Sequence, residues 1–216
     1  MRTELRPWTT PPAPRFRLVP DLSTKDYADA SQKKGVVIRR LSGWLGGARP
    51  ITSLVDGRWP KLGSANNQLV ASTNETTVLR VDFPELINVG QISTYTAHDT
   101  YNHTSQKYTV YYSAADKAPP HKGNPEAHGW IKLADVETPG RDGCRGVCIF
   151  DPFDEHLAEC RFLLFVMDLA EGSAYTNFAE LDIHLAPGAG AVPIPEPAVV
   201  GLAAGLARFA ARKRRR

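Results

Sequence analysis

The stretch TTVLRVDF, residues 76–83, sets the fold class. Leu79, Val81 and Phe83 point one way and Val78, Arg80 and Asp82 the other, a period of two that suits a strand and no helix. Outward from it the same texture recurs. QISTYTAH (91–98), KYTVYYSA (107–114), WIKLADV (130–136), CRFLLFVMDL (160–169) and FAELDIHLA (178–186) are β-branched or aromatic runs set between turn residues. RFLLFVM is apolar on both faces, which predicts a central strand covered on each side. In the last run Ala179, Leu181, Ile183 and Leu185 alternate with Glu180, Asp182 and His184, which predicts a half-buried strand. GVVIRR (35–40) and GVCIF (146–150) are weaker strand candidates. No long amphipathic helix and no internal repeat is visible. The expected architecture is all-β, an antiparallel jelly-roll β-sandwich of about eight strands.

The chain has 216 residues, 42% hydrophobic and 23% charged, enough for one packed domain with tails. Its 17 glycines and 17 prolines favour a loop-rich sandwich over a helical bundle. The formal charge of +3 is a property of the tail. Six of the 26 basic residues lie between 208 and 216, where Glu196 is the only acid from 196 onward, so the remainder carries 20 basic against 22 acidic side chains. A body near −2 gives no reason to expect a nucleic-acid partner. Residues 1–34 are proline-rich with scattered charge and no sustained apolar run, and are expected to be poorly ordered. They contain no secretory h-region.

Three cysteines, Cys144, Cys148 and Cys160, make neither a disulfide framework nor a zinc signature. One loop-stapling disulfide with a thiol left over is expected, its pairing open. Six histidines are present, but no HExxH, GxSxG, P-loop or GxGxxG arrangement accompanies them. An enzyme is therefore not expected. HKGNPEAH (121–128) reads as a Pro/Gly loop and DPFDEH (151–156) as a surface turn. Trp130 opens a regular strand and should be core.

The order of LVDGRW (54–59), KYTVYYSA, WIKLADV, CRFLLF (160–165) and FAELDIH (178–184) resembles the discoidin, or F5/8 type C, family of galactose-binding-like domains, over residues 35–186. The resemblance implies a non-catalytic binding fold, most often for carbohydrate. It implies that Asp56 and Glu180 lie near each other and hold a structural Ca2+, whose hard oxygen ligands they would supply. Arg58-Trp59-Pro60 departs from the family pattern just after the Asp-Gly pair, and a turn Asp with an outward-facing Glu is the other reading. It further implies ligand contacts from loops at one end of the sandwich. These would come from His98, Asp99, Tyr101 and His103 in HDTYNHT (98–104), and from Tyr175 and Asn177 in EGSAYTNF (171–178). Aromatic faces there would stack on sugar rings while polar groups fix orientation. Ordinary polar loop residues are the alternative.

After a small-residue linker at 187–194, the chain ends Pro195-Glu196-Pro197, a 14-residue apolar run, and Arg212-Lys213-Arg214-Arg215-Arg216. This pattern resembles the PEP-CTERM sorting signal of Gram-negative bacteria, residues 195–216. The resemblance implies recognition by an exosortase and transient inner-membrane association. Terminal arginines resist translocation and would hold the tail on the cytoplasmic side. The apolar run is shorter than the ~20 residues of a full span and includes Arg208, which would snorkel. A basic amphiphilic tail touching a membrane by charge is the plainer alternative. Export with no visible signal peptide points to a start upstream of Met1. The expected function is thus an exported protein of the cell surface or extracellular (biofilm) matrix, binding a polysaccharide or cell-surface glycan. The alternative is a structural matrix or adhesion protein with no small ligand.

Overall fold

A computed structural model describes residues 15–19, 26–28, 35–43, 45–47, 49–57, 69–71, 76–98, 104–138, 143–152, 156–171, 173, 176 and 178–188. In chain order the strands are β1 (Arg15–Val19), β2 (Val37–Ser42), β3 (Leu45–Gly47), β4 (Leu69–Ala71), β5 (Thr77–His98), β6 (Gln106–Ser113), β7 (Ile131–Thr138), β8 (Gly143–Phe150), β9 (Ala158–Asp168) and β10 (Phe178–Leu185). Short 3-10 turns cover Ile51–Val55 and Pro125–His128. The fold is all-β and every pairing is antiparallel.

One strand organises the rest. TTVLRVDF and QISTYTAH, separate in the sequence reading, are the two ends of the 22-residue β5. Its first half pairs with β2 on one flank and β9 on the other, and β6 and β7 extend that layer beyond β9. Its second half pairs with β10 and β8, and β1 closes that layer beyond β8. The ladder with β9 shifts register between Asp82 and Ile87, where β5 passes from one layer to the other. β3 and β4 form a separate small ribbon.

The predicted alternation places the core. Leu79, Val81 and Phe83 from the first half of β5 join Ile92, Leu163, Phe165, Val147, Ile149, Leu181 and Ile183 in one buried cluster between the layers. Each such side chain contributes roughly 1.5–3 kcal/mol through its burial. The doubly apolar β9 does lie between β5 and β6, and its outward Leu164 is as buried as its inward Leu163. Leu164 sits with Val78 and Trp130 in a second, smaller cluster on the outer side. Trp130 is 2% exposed and its indole N–H donates to the Pro120 carbonyl at 2.9 Å, so the connection over 114–130 is folded back onto the sheet.

Two expectations change. The N-terminal segment over 1–34 contributes β1, paired with β8 from Arg15↔Phe150 to Val19↔Gly146. It also contributes a buried turn in which Asp26 Oδ1 accepts from the backbone N–H groups of Ala28 (2.7 Å) and Ile183 (3.0 Å). Order there comes from long-range pairing, which local composition does not reveal. The second change concerns the cysteines. Cys148 and Cys160 are both buried thiols, so the expected disulfide is not made between them. The register explains it: they lie opposite Ser93 and Ile87 of β5, six residues apart along that strand, beyond the ~7 Å Cα limit of a disulfide. The side chain of Cys144 lies outside the described residues.

Candidate functional site

At one end of the sandwich β5 finishes and β6, β8 and β10 begin, so the connections over 99–105 and 169–177 emerge together. They are joined by hydrogen bonds. Thr176 Oγ1 donates to the Ser105 carbonyl at 2.7 Å, and the hydroxyls of Ser105 and Ser173 bond each other. Thr96 Oγ1 ties the first loop to β5 by donating to the Thr104 carbonyl at 2.9 Å.

Beneath these loops is a buried polar floor. Thr94 Oγ1 donates to Gln106 Oε1 at 2.6 Å and meets the Tyr108 hydroxyl at 2.7 Å. The Gln106 backbone N–H donates to Thr138 Oγ1 at 3.2 Å. Thr94, Thr96, Thr104, Gln106 and Tyr108 are all essentially inaccessible to water. A buried network of this kind is stable only with its bonds made, and once made it holds the loop roots in one arrangement. Burial pushes the Tyr108 phenol above its ordinary range, so it stays a neutral hydrogen-bonding group.

The sequence-predicted ligand residues divide accordingly. His98 is the last residue of β5, opposite Gly143. Its side chain, and all of Asp99, Tyr101, His103, Tyr175 and Asn177, lie outside the described residues. The structure brings their two loops together through Ser105, Ser173 and Thr176, which the sequence reading did not single out. A serine or threonine at a loop root carries no signal that distinguishes it from any other turn residue.

The Asp56 and Glu180 pair is described in full. Leu54 and Val55, both 1% exposed, anchor the 3-10 turn and deliver Asp56 and Gly57 to the start of β10. Gly57, at φ +67°, turns its backbone N–H onto Glu180 Oε1 at 3.0 Å. Asp56 is bound instead by the Arg49 guanidinium. Glu180 is 3% exposed, and its Oε2 has no hydrogen-bond partner among the described residues. Burial pushes its carboxyl up to about 9, with the neighbouring carboxylates of Asp182, Asp56 and Asp26 adding to the rise and the Gly57 N–H opposing it. It is therefore a neutral acid at pH 7.

A Ca2+ ion needs six to eight oxygen ligands, several of them anionic. Here the Arg49 guanidinium pairs with Asp56, and the Gly57 N–H group faces Glu180 Oε1. Among the described residues no group of three or more His, Cys, Asp or Glu is placed to hold a metal ion.

Glu180 belongs to a wider set that the alternating pattern of β10 conceals. Asp182, fully buried, interacts with the Tyr95 phenol and with Asp26. Asp26 is also raised by burial, against the two N–H groups it accepts. β10 is thus buried on both faces rather than half-buried as its alternation predicted.

No protein-family model matches the chain, and no curated protein does. Solved structures do. The structure of two CBM32 domains from Clostridium perfringens ZmpB is similar at TM-score 0.50 and 12% identity, over 82% of this chain and 41% of that one. A family 32 CBM from C. perfringens NanJ in complex with galactose is similar at TM-score 0.47 and 15% identity, over 73% of this chain and 97% of that one. CpGH89CBM32-6, produced by Clostridium perfringens, gives TM-score 0.45 and 14% identity, with coverages of 73% and 98%. At 12% identity and TM-score 0.50 the first of these likenesses is one of fold alone.

Proposed function

We propose that this chain is an exported protein of the cell surface or extracellular matrix of a Gram-negative bacterium, whose sandwich binds a polysaccharide without catalysis. The observation that carries the reading is the hydrogen-bonded junction of the loops over 99–105 and 169–177 above a rigid polar floor. A floor of satisfied buried bonds lets loop side chains meet a ligand with little ordering cost, which is what a weak, multi-hydroxyl ligand requires. His98, Asp99, Tyr101, His103, Tyr175 and Asn177 are the proposed contacts, with the two tyrosines offering ring faces to the sugar. The fold is one shared with CBM32 domains.

The tail, residues 195–216, lies outside the described residues and is proposed from its sequence alone. Pro195-Glu196-Pro197 would be the exosortase recognition motif, the apolar run a transient inner-membrane stop, and Arg212 to Arg216 its cytoplasmic end.

A glycan array with the full chain tests the binding. Retention on one glycan class, lost in Tyr101→Ala and Tyr175→Ala with melting temperature unchanged, is the expected result. No retention on any glycan, together with self-association, would replace this reading by a structural matrix role. For the tail, the native cell should show the intact protein outside and a 195–216 deletion retained. Identical location of the two would remove the sorting reading.

A further inference from the structure

The layer formed by β2, the first half of β5, β9, β6 and β7 has an outer face that the loop-end reading does not use. Register places side chains there in rows. Arg39, Arg80 and Leu164 lie side by side across β2, β5 and β9, and Val37, Asp82 and Phe162 form the next row. Asp82 is held by both arginines. Arg80 grips it with two N–H groups, Nε to Oδ1 at 2.5 Å and a terminal nitrogen to Oδ2 at 2.9 Å, while Arg39 Nε donates to Oδ2 at 2.9 Å. The Arg80 guanidinium also lies 5.6 Å from the centre of the Phe162 ring.

This arrangement differs from the rest of the same face. Further along, Lys107 pairs with Glu137 and Lys132 with Asp135, one acid for each cation. Here two guanidiniums share one carboxylate, leaving a surplus positive charge on a body of opposite sign. The same field reaches the 114–130 connection, where His121 is held below its ordinary imidazole value by burial first, then by Lys122 and Arg80. Arg39 is 54% exposed, and Val37 beside it is an exposed apolar side chain at 37%.

We propose that this face is a second glycan-binding site, separate from the loop end, that reads the carboxylate of an acidic sugar in a polysaccharide. Arg39 supplies a fork of N–H donors matched to a planar carboxylate, and Asp82 fixes the spacing of the two guanidiniums. Val37, the exposed apolar side chain beside Arg39, gives the ring an apolar contact. One surplus charge suits one anionic group per ring.

Native affinity electrophoresis of the full chain tests this, with polygalacturonate, fully methyl-esterified polygalacturonate or duplex DNA cast in the gel. Retardation by polygalacturonate alone is expected. Arg39→Gln, a change at a half-exposed side chain, should weaken it about tenfold, the worth of one charge-assisted hydrogen bond. Arg39→Lys, which keeps charge but not the fork, should recover only part. Tyr101→Ala should leave the retardation intact. Three results would overturn the proposal: equal retardation of Arg39→Gln, equal retardation by the esterified polymer, or retardation by DNA as strong as by polygalacturonate. Loss of polygalacturonate binding in Tyr101→Ala would assign it to the loop end instead. A wild-type chain that runs unretarded in every gel likewise overturns it.

Discussion

Replacing Glu180 with glutamine should make the protein more stable at alkaline pH and flatten its pH dependence. The folded state holds the Glu180 carboxyl at about 9, against 4.5 for the ordinary side chain. Between those values the unfolded chain has released the proton and the native protein keeps it, so the native state binds more protons there. Stability is then fully present below about pH 4.5 and falls as pH rises through 9. At 1.36 kcal/mol per pH unit, the loss between pH 5 and pH 8 is about 4 kcal/mol. Glutamine preserves shape, and its carbonyl oxygen still accepts from the Gly57 N–H. It cannot ionise. Urea denaturation at pH 5, 6.5 and 8 reads both forms, with the midpoint and slope giving the stability directly. The wild type should lose stability steadily across the series, while Glu180→Gln loses markedly less, Asp26 being the other carboxyl raised by burial. Equal stability of the wild type at pH 5 and 8 would refute the reasoning. So would a Glu180→Gln curve parallel to the wild type, because the slope would then arise elsewhere.

Trp130→Ala should cost about 3–5 kcal/mol, since it empties the outer cluster with Val78 and Leu164 and releases the bond to Pro120. Chemical denaturation checks the loss, and limited proteolysis should newly cleave within 114–130. Gly43→Ala should be more damaging than Gly188→Ala although both glycines have φ near +80°. A Cβ at 43 would lie 2.5 Å from Thr77 Cα and 2.7 Å from the Thr76 carbonyl oxygen, backbone that cannot yield, whereas nothing lies within 4 Å of one at 188. The second change then carries only the ~1–2 kcal/mol of left-handed strain, and thermal melts should rank the two in that order.

The fold was legible wherever burial and sequence period coincide. Leu79, Val81 and Phe83 announce an inner face, and the doubly apolar run of β9 announces a strand covered twice. Trp130 at a strand opening announces a core anchor, and each is buried. Continuity was not legible. Pro84 and Gly90 punctuate residues 84–90 as a turn would, yet β5 runs on through them, with Ile87 to Val89 paired to β9 and Val89 to Leu185 of β10. Acidic residues misled in a similar way. Glu180 and Asp182 normally mark a solvated face, and only the packing of the 3-10 turn and of Asp26 against β10 shows them buried. The loops proposed for the site could be named from their residues, but their meeting at Ser105, Ser173 and Thr176 depends on partners 68 to 71 positions apart. No local signal encodes such a distance.

The length of β5 has a consequence for how the chain acquires its shape. Its partners span the sequence from β2 to β10, and the closing strand ends at Leu185. The layer of β10, β8 and β1 is incomplete until that strand docks, so a nascent chain lacking it has an open edge along the second half of its longest strand. Closing loops of such separation is slow, on the order of milliseconds to seconds for sandwich topologies. A newly made molecule therefore passes through an interval, after synthesis nears its end, in which a threading machine would meet an unfolded polymer rather than a finished solid.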